Sequence, residues 1–265
     1  MYNHFTDCDT TYNLLENNVS SKTGFFYIIR NKKNNHYDLY IDKTSNLLYL
    51  DDYQGDTNNK EHVPIYSNVN KIKKSNNHVA FFKKKKFKKN LNLYIKNDYN
   101  IFDKSIFNLF KHENYWTMRS KENDYMGVIF NENSMVKKTQ KPDEITILLP
   151  TDYLKTRVLP KYRLNNYMLH DYFNYKRNSI KAYYNVPAKY NQRLDSYVLK
   201  FTISGGIISK KNTIISQEYC DDETYLKENH IMETLKINNN VMIVSYKKPF
   251  STIHAFTYGV TRFLN

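Results

Sequence analysis

Glycine, proline and cysteine are scarce in this sequence. Its 265 residues include six glycines, six prolines and two cysteines, whereas asparagine, lysine, isoleucine and tyrosine are abundant. This bias is typical of AT-rich coding, so part of the lysine content reflects codon usage. The cysteines, Cys8 and Cys220, lie near opposite ends of the chain. Two such cysteines exclude a disulfide-rich scaffold and a cysteine zinc site, and they suit a reducing cytosol.

Long apolar runs are also missing. Ile145–Leu149 and Val241–Val244 are far shorter than the ~20 apolar residues of a membrane-spanning helix. We therefore expect a soluble protein, or one that is peripheral to a membrane. The length of the chain suits one domain with a substantial core.

The charge is strongly positive. Lysine and arginine total 40 against 26 acidic residues, which gives a formal net charge of +14. Such a charge predicts attraction to polyanions, either nucleic acid or the anionic leaflet of a membrane. Composition does not choose between these partners.

Short segments typical of β-strands recur along the chain without helical patterns between them. This pattern predicts an all-β barrel or sandwich. Residues 1–22 lack a pattern and are predicted to be a loosely ordered tail, residues 23–265 form the domain, and residues 43–78 form a loop or insertion. The predicted strands are Phe25–Arg30, Tyr37–Ile41, Asn46–Leu50, Val79–Phe82, Leu91–Ile95, Tyr115–Arg119, Tyr125–Phe130, Ile145–Leu149, Ser179–Tyr184, Tyr197–Ile203, His230–Ile237 and Val241–Tyr246.

Two segments have helical spacing instead. Leu164–Tyr175 predicts a short amphipathic helix. At the C-terminus, Pro249 stands where it can start a helix, and Arg262 is the only formal charge between Phe250 and Leu264. A helix that is apolar on most of its circumference is predicted to lie inside the protein.

Several motifs, in order and with matching spacing, resemble the tubby family over roughly Phe25 to Asn265. The closest stretch runs from Met168-Leu169 to the residues Ser209, Lys211 and Asn212, and Val241–Tyr246 with Pro249 and Ala255-Phe256 resembles the family's last strand and central helix. This resemblance implies an all-β fold with a central helix. That fold is a closed antiparallel β-barrel of about twelve strands around an apolar C-terminal α-helix.

A dense basic run follows one predicted strand. It consists of Lys83, Lys84, Lys85, Lys86, Lys88 and Lys89, interrupted by Phe87, and we call Lys83–Lys89 the lysine loop. An ammonium cluster attracts phosphate groups, and Phe87 could insert among lipid headgroups. The alternative readings are a solvated charge run or a nuclear localisation signal.

The resemblance also suggests headgroup-binding residues. Tubby-like domains place an asparagine after such a basic loop, beside the phosphoinositide pocket, and Asn92 is the match here. The family's Lys-x-Arg pair falls on Ile106 and Asn108, with Lys104 or Lys111 as shifted substitutes. The family's arginine after a proline falls on Asp143, a reversal of charge, for which Lys137, Lys138 and Lys141 are predicted to compensate.

Groups capable of catalysis form no convincing constellation. His170-Asp171 is an isolated pair on a predicted helix, and His254 is predicted to be a core or interface residue. Gly205-Gly206 is better read as a bend or bulge than as a phosphate loop. We therefore predict no enzyme activity, no cofactor and no metal site.

Three functions remain open. The leading hypothesis is a monomeric, cytoplasmic adaptor that binds phosphoinositides or other anionic lipids at the plasma or ciliary membrane and brings protein cargo there. The second is a nucleic-acid-binding or nuclear module that uses the same basic surface. The third is a lipid-handling barrel related to scramblases, although a membrane-inserting segment is not visible in the sequence.

Overall fold

The computed structural model describes residues 23–32, 36–40, 78–84, 90–95, 105, 107–120, 123–131, 143–151, 167–203, 205–218 and 229–265. They form fourteen described strands and two described helices. In chain order these are β1 Gly24–Asn31, β2 His36–Tyr40, β3 His78–Lys84, β4 Leu91–Ile95, β5 Phe107–Lys111, β6 Tyr115–Ser120, β7 Asn123–Asn131, β8 Glu144–Pro150, α1 Met168–Phe173, β9 Ile180–Asn185, β10 Lys189–Asn191, β11 Ser196–Val198, β12 Thr213–Ser216, β13 His230–Asn238, β14 Val241–Tyr246 and α2 Thr252–Leu264.

Twelve of the described strands close into an antiparallel barrel. The order around the barrel is β1-β14-β13-β12-β9-β8-β7-β6-β5-β4-β3-β2, and β2 pairs back with β1. Strands β10 and β11 form a separate two-stranded sheet. The predicted fold is therefore confirmed. Closure leaves the barrel strands without the free edges that favour aggregation.

Helix α2 fills the barrel, as its lack of charge predicts. Every residue from Thr252 to Phe263 is buried. The Phe256 ring meets Phe82 on β3 with centroids 5.1 Å apart and Phe26 on β1 with centroids 6.3 Å apart, so the helix packs against the strands on both sides of β2. Gly259 lies against β1 so closely that a Cβ there would be 2.3 Å from the Ile28 Cδ1 atom.

Alternation along the strands selects which side chains face the helix. In β8, Ile145, Ile147 and Leu149 face inward, and Leu148 faces outward under α1. Because both faces of β8 are covered, its sequence is a continuous apolar run. Helix α1 is fixed there by Asp124, whose carboxylate accepts the Met168 N–H at 2.8 Å.

Helix α2 begins three residues later than Pro249, the predicted start. Ser251 is its N-cap, and its hydroxyl accepts the His254 N–H at 3.3 Å. The His254 ring reaches back to the Ser251 backbone and completes a capping box. His254 is fully buried, in agreement with the prediction of a core histidine.

Some strand predictions were wrong. The predicted strand Tyr197–Ile203 reduces to β11, because the segment after Val198 leaves the two-stranded sheet. Gly205 and Gly206 lie outside any strand. Gly205 has a positive φ of 88°, and a Cβ on Gly206 would be 2.3 Å from the Leu235 Cγ atom. The sequence interpretation also missed β5, β10 and β12, and the predicted strand Asn46–Leu50 lies outside the described residues.

The predicted helix Leu164–Tyr175 is shorter in the structure. It covers Met168–Phe173, and the chain turns away at Tyr175, which has a positive φ of 61°. The predicted tail and almost all of the predicted loop 43–78 lie outside the described residues. The domain boundaries therefore stay predictions.

Candidate anion-binding end of the barrel

The strand directions bring the lysine loop and the end of α2 to one end of the barrel, which we call the upper end. Strand β3 ends there and β4 begins there. Helix α2 also ends there, because Asn265 Oδ1 accepts the Trp116 indole N–H at 3.1 Å at the start of β6. The opposite end carries the start of α2, where the hydroxyl groups of Tyr246 and Thr252 lie 2.6 Å apart.

Basic side chains dominate the described residues of the upper end. Arginine and lysine occur at the ends of β1, β3, β5 and β13, in the turn before β12 and in the last turn of α2. The carboxylates described at this end are those of Asp38, Glu113, Asp143 and Glu144. The cations are Arg30, Lys32, Lys83, Lys84, Lys111, Lys210, Lys211, Lys236 and Arg262.

The structure brings Lys83 beside Asn92. These residues are register partners on β3 and β4, and Asn92 is also the partner of Asn108 on β5, which pairs with Arg119 on β6. We call Lys83, Asn92, Asn108 and Arg119 the outer row, because Phe82, Leu93 and Leu109 on the same strands face the core. Lys83 and Lys84 are exposed, whereas Asn92 is only 6% exposed.

The amide of Asn92 is held from one side. Its Nδ2 atom lies 3.3 Å from the Tyr94 hydroxyl as a donor. The Tyr94 ring stacks on Phe81, with centroids 5.1 Å apart, and Phe81 stacks in turn on His36 at 4.7 Å. This stack fixes the wall beside Lys83. Burial and the charge of Lys83 lower the pKa of His36, which favours its neutral form.

Arg119 is a member of the outer row that sequence reasoning missed. Its Nε atom donates to Asp124 Oδ1 at 2.5 Å, and its guanidinium lies 3.9 Å from the centre of the Tyr167 ring. The alternation Thr117-Met118-Arg119 within the predicted strand was the available signal. Because the Arg119 charge is paired, Lys83 and Lys84 are the exposed cations beside Asn92 in the described part of this wall.

Of the positions matched to the Lys-x-Arg pair, the structure describes Asn108 and Lys111. Asn108 lies directly beside Asn92 as its register partner on β5. Lys111 instead extends over the Trp116 ring, with its Nζ atom 5.4 Å from the ring centre. Ile106 and Lys104 lie outside the described residues.

Asp143, the reversed charge, has a partner within the barrel. Its Oδ2 atom lies 3.4 Å from Arg262 Nη1. Arg262 is 1% exposed, whereas the Asp143 side chain is 41% exposed. Arg262 thus pairs with the carboxylate that stands where the resemblance expected an arginine. The other predicted contact lysines, Lys85, Lys86, Lys88, Lys89, Lys137, Lys138 and Lys141, lie outside the described residues.

A cleft lies outside the barrel, between β13 and the chain near β11. Val186, Leu199 and Ile214 give it an apolar lining, and Glu233 forms part of its wall. The Glu233 carboxylate accepts the Thr202 N–H at 3.0 Å and the Thr202 hydroxyl at 2.8 Å. Glu233 therefore holds the segment after β11 against the barrel.

The groups considered for catalysis are arranged as structural contacts. His170 Nδ1 lies 3.4 Å from the buried Asp171 carboxylate on α1. In the part of the chain that the structure describes, no three histidine, cysteine or acidic side chains gather as metal ligands. Among the described helices, none combines the length and apolar composition needed to cross a bilayer.

The family comparison covers nearly the whole chain. A family model described as the Tub family matches residues 16–265. This chain belongs to the Tub family. The closed barrel around α2 is the fold of Tub domains, which are a non-enzymatic family associated in general with phosphoinositide binding. No curated protein matches the chain.

Proposed function

We propose that this Tub-family chain is a non-catalytic adaptor that binds phosphoinositides or other anionic lipids. It attaches to the cytoplasmic face of the plasma or ciliary membrane and brings protein cargo there. The observation that carries the proposal is the pair Lys83 and Lys84, exposed at the upper end beside Asn92. The lysine loop continues directly from this pair.

Electrostatics supports attraction to a membrane. Near an anionic leaflet each lysine contributes on the order of 1 kcal/mol, and salt screens this attraction. The described cations of the upper end add to the same field, because they share one end of a rigid barrel. Lys137, Lys138 and Lys141 precede β8 in the sequence and belong to the proposed contact surface.

The positions matched to the family's headgroup contacts supply little positive charge for the recognition of one particular headgroup. Asn108 is neutral where the family pair supplies a cation, and the Arg262 beside Asp143 is buried. Since these substitutions remove accessible positive charge from positions matched to the family's headgroup contacts, we propose binding that follows the negative charge of the lipid more than the phosphate pattern of the inositol ring.

Co-sedimentation with vesicles tests the role of the lysines. Lys83→Ala/Lys84→Ala removes two charges at the upper end, and Lys247→Ala/Lys248→Ala removes two adjacent charges after β14, at the opposite end. We expect the first variant to weaken binding to phosphoinositide vesicles by about thirtyfold, because two lysines at about 1 kcal/mol each contribute about 2 kcal/mol. The second should change it by less than about threefold at the same estimate. Equal losses in both variants would contradict a role of the upper end.

The same variants address nucleic acid as the partner. Binding of duplex DNA to a basic surface weakens steeply as the salt concentration rises. It does not depend on the lipid composition of vesicles. Tighter binding to duplex DNA than to phosphoinositide vesicles at equal salt would replace the lipid proposal with the nucleic-acid one.

A further inference from the structure

Cations from four separate elements converge around Lys211 at the upper end. Arg30 lies near the end of β1, Lys236 near the end of β13 and Arg262 in the last turn of α2. Each is close enough for its charge to lower the pKa of Lys211, which precedes β12. We call Arg30, Lys211, Lys236 and Arg262 the Lys211 cluster. None of its members belongs to the lysine loop or to the outer row.

Most polar contacts of the cluster are with neutral acceptors. Lys211 Nζ donates to the Phe263 carbonyl at 2.6 Å, and Lys236 Nζ donates to Asn239 Oδ1 at 3.0 Å. Arg262 donates to the carbonyl groups of Lys210 and Lys211. The carboxylate that favours the charged form of Lys211 is that of Asp143, which is engaged by Arg262.

The cluster therefore carries an excess of positive charge. Among the described residues, four cations face the single carboxylate of Asp143. Burial and these neighbouring cations together lower the pKa of Lys211 to about 8. An anion beside Lys211 would relieve this repulsion and accept charge-assisted hydrogen bonds.

The site is accessible and has a fixed frame. Arg30, Lys211 and Lys236 are each partly exposed, so their side chains can reach a ligand from solvent. The Asn212 side chain holds the frame, because Oδ1 accepts the Lys236 N–H at 2.8 Å and Nδ2 donates to the Ile207 carbonyl at 2.8 Å. This frame joins the turn before β12 to β13, so the backbones of Lys211 and Lys236 are held at a fixed distance from each other.

We propose that the Lys211 cluster binds a phosphate-bearing anion, at a position separate from the lysine loop. Strand β2 lies between β1 and β3, so the two positions share the upper end of the barrel without sharing a residue. The choice of ligand rests on the proposed function: it is a phosphorylated inositol, either free in solution or as the headgroup of a lipid. Its phosphates contact the three partly exposed cations of the cluster, Arg30, Lys211 and Lys236, which three different elements carry.

Calorimetric titration with inositol hexakisphosphate tests the proposal. Arg30→Gln/Lys236→Gln removes two cations whose side chains form no hydrogen bond or ion pair with α2 within the described residues, and Lys247→Gln/Lys248→Gln is the matched control at the opposite end of the barrel. We expect the first variant to weaken binding by about tenfold or more, because it loses charge-assisted contacts. The control should stay within about twofold of the wild type at the same estimate.

Proton uptake provides a second readout. Because the bound anion raises the pKa of Lys211, binding near pH 8 takes up a proton, and the affinity falls as the pH rises through about 8. Titrations in buffers of different ionisation enthalpy measure this uptake. Lys211→Arg keeps the charge without titrating in this range, so it should bind without the proton uptake.

Two outcomes would overturn the proposal: affinity unchanged in Arg30→Gln/Lys236→Gln, or equal loss in the control variant. Loss only in Lys83→Ala/Lys84→Ala would also overturn it and assign the anion to the lysine loop. Vesicle binding by the Arg30→Gln/Lys236→Gln variant distinguishes a lipid headgroup from a soluble inositol phosphate as the bound anion. A parallel loss there indicates a lipid headgroup, and a loss confined to the free inositol phosphate indicates a soluble ligand. The vesicle experiment with Lys83→Ala/Lys84→Ala tests the proposed function, and the calorimetric titration tests the Lys211 cluster. Either proposal can therefore be contradicted while the other stands.

Discussion

Arg262 and Asp143 join the last turn of the central helix to the start of β8. The Nη1 and Oδ2 atoms are 3.4 Å apart, and the same guanidinium donates to the backbone carbonyl groups of Lys210 and Lys211. The single charge of α2 is therefore placed where the helix leaves the barrel. One side chain links α2 to two neighbouring parts of the wall.

The two partners of this ion pair should differ in their importance for stability. Arg262→Met removes contacts to three acceptors and leaves the carbonyl groups of Lys210 and Lys211, in the turn before β12, without this donor, so we expect a loss of about 3 kcal/mol. Asp143→Asn should cost about 1 kcal/mol or less, because the Asp143 side chain is well exposed to solvent. Urea unfolding of both variants measures the difference, and equal losses would contradict this assignment.

Gly259 is required by the close contact between α2 and β1. Gly259→Ala places a methyl group where Ile28 Cδ1 lies, and we expect a loss of about 1–3 kcal/mol from overpacking. Ile28→Val removes that Cδ1 atom and is the matched test. The double variant should recover much of the stability lost in Gly259→Ala, as measured by chemical unfolding. Simple addition of the two losses would show that another contact is responsible.

His254 should make the barrel sensitive to acid. Burial lowers its pKa from 6.5 to about 3, so the unfolded chain binds this proton first as the pH falls. Stability should therefore decrease below about pH 6.5, by up to about 1.4 kcal/mol per pH unit, until about pH 3. His254→Gln keeps a capping-box residue without the titration.

Unfolding of both proteins between pH 7 and pH 4 measures this contribution. Over this interval, the free energy of unfolding should fall less in the His254→Gln variant than in the wild type. The difference is the contribution of the one proton that His254 takes up on unfolding. Identical pH profiles would mean that His254 is not the group that titrates.

The central helix and the barrel could be predicted because their sequence patterns are strong. Between Phe250 and Leu264 the helix carries one charge, and nothing but a surrounding wall can cover such a surface. The strand β8 was recognised for a similar reason, since its apolar run Ile145–Leu149 is covered on both faces. Strand β12 was missed because its four residues give too short a pattern.

The arrangement of charges at the upper end depends on pairings that the sequence does not display. The reversed charge of Asp143 was recognised, but its partner Arg262 is 119 residues away along the chain. Likewise, Lys211 and Asn212 were recognised as a motif without a role. Their contacts with Phe263 and Lys236 exist only once the barrel has closed around α2.

Binding of the unaltered chain to vesicles of graded charge tests the central claim most directly. Phosphatidylcholine vesicles, alone or with increasing mole fractions of a phosphoinositide, are compared with vesicles in which phosphatidylserine supplies the same total charge. We predict no binding to phosphatidylcholine alone, binding that increases with either anionic lipid, and a loss of binding as salt is raised. Equal binding to all vesicles, or no binding to any of them, would contradict the proposed function.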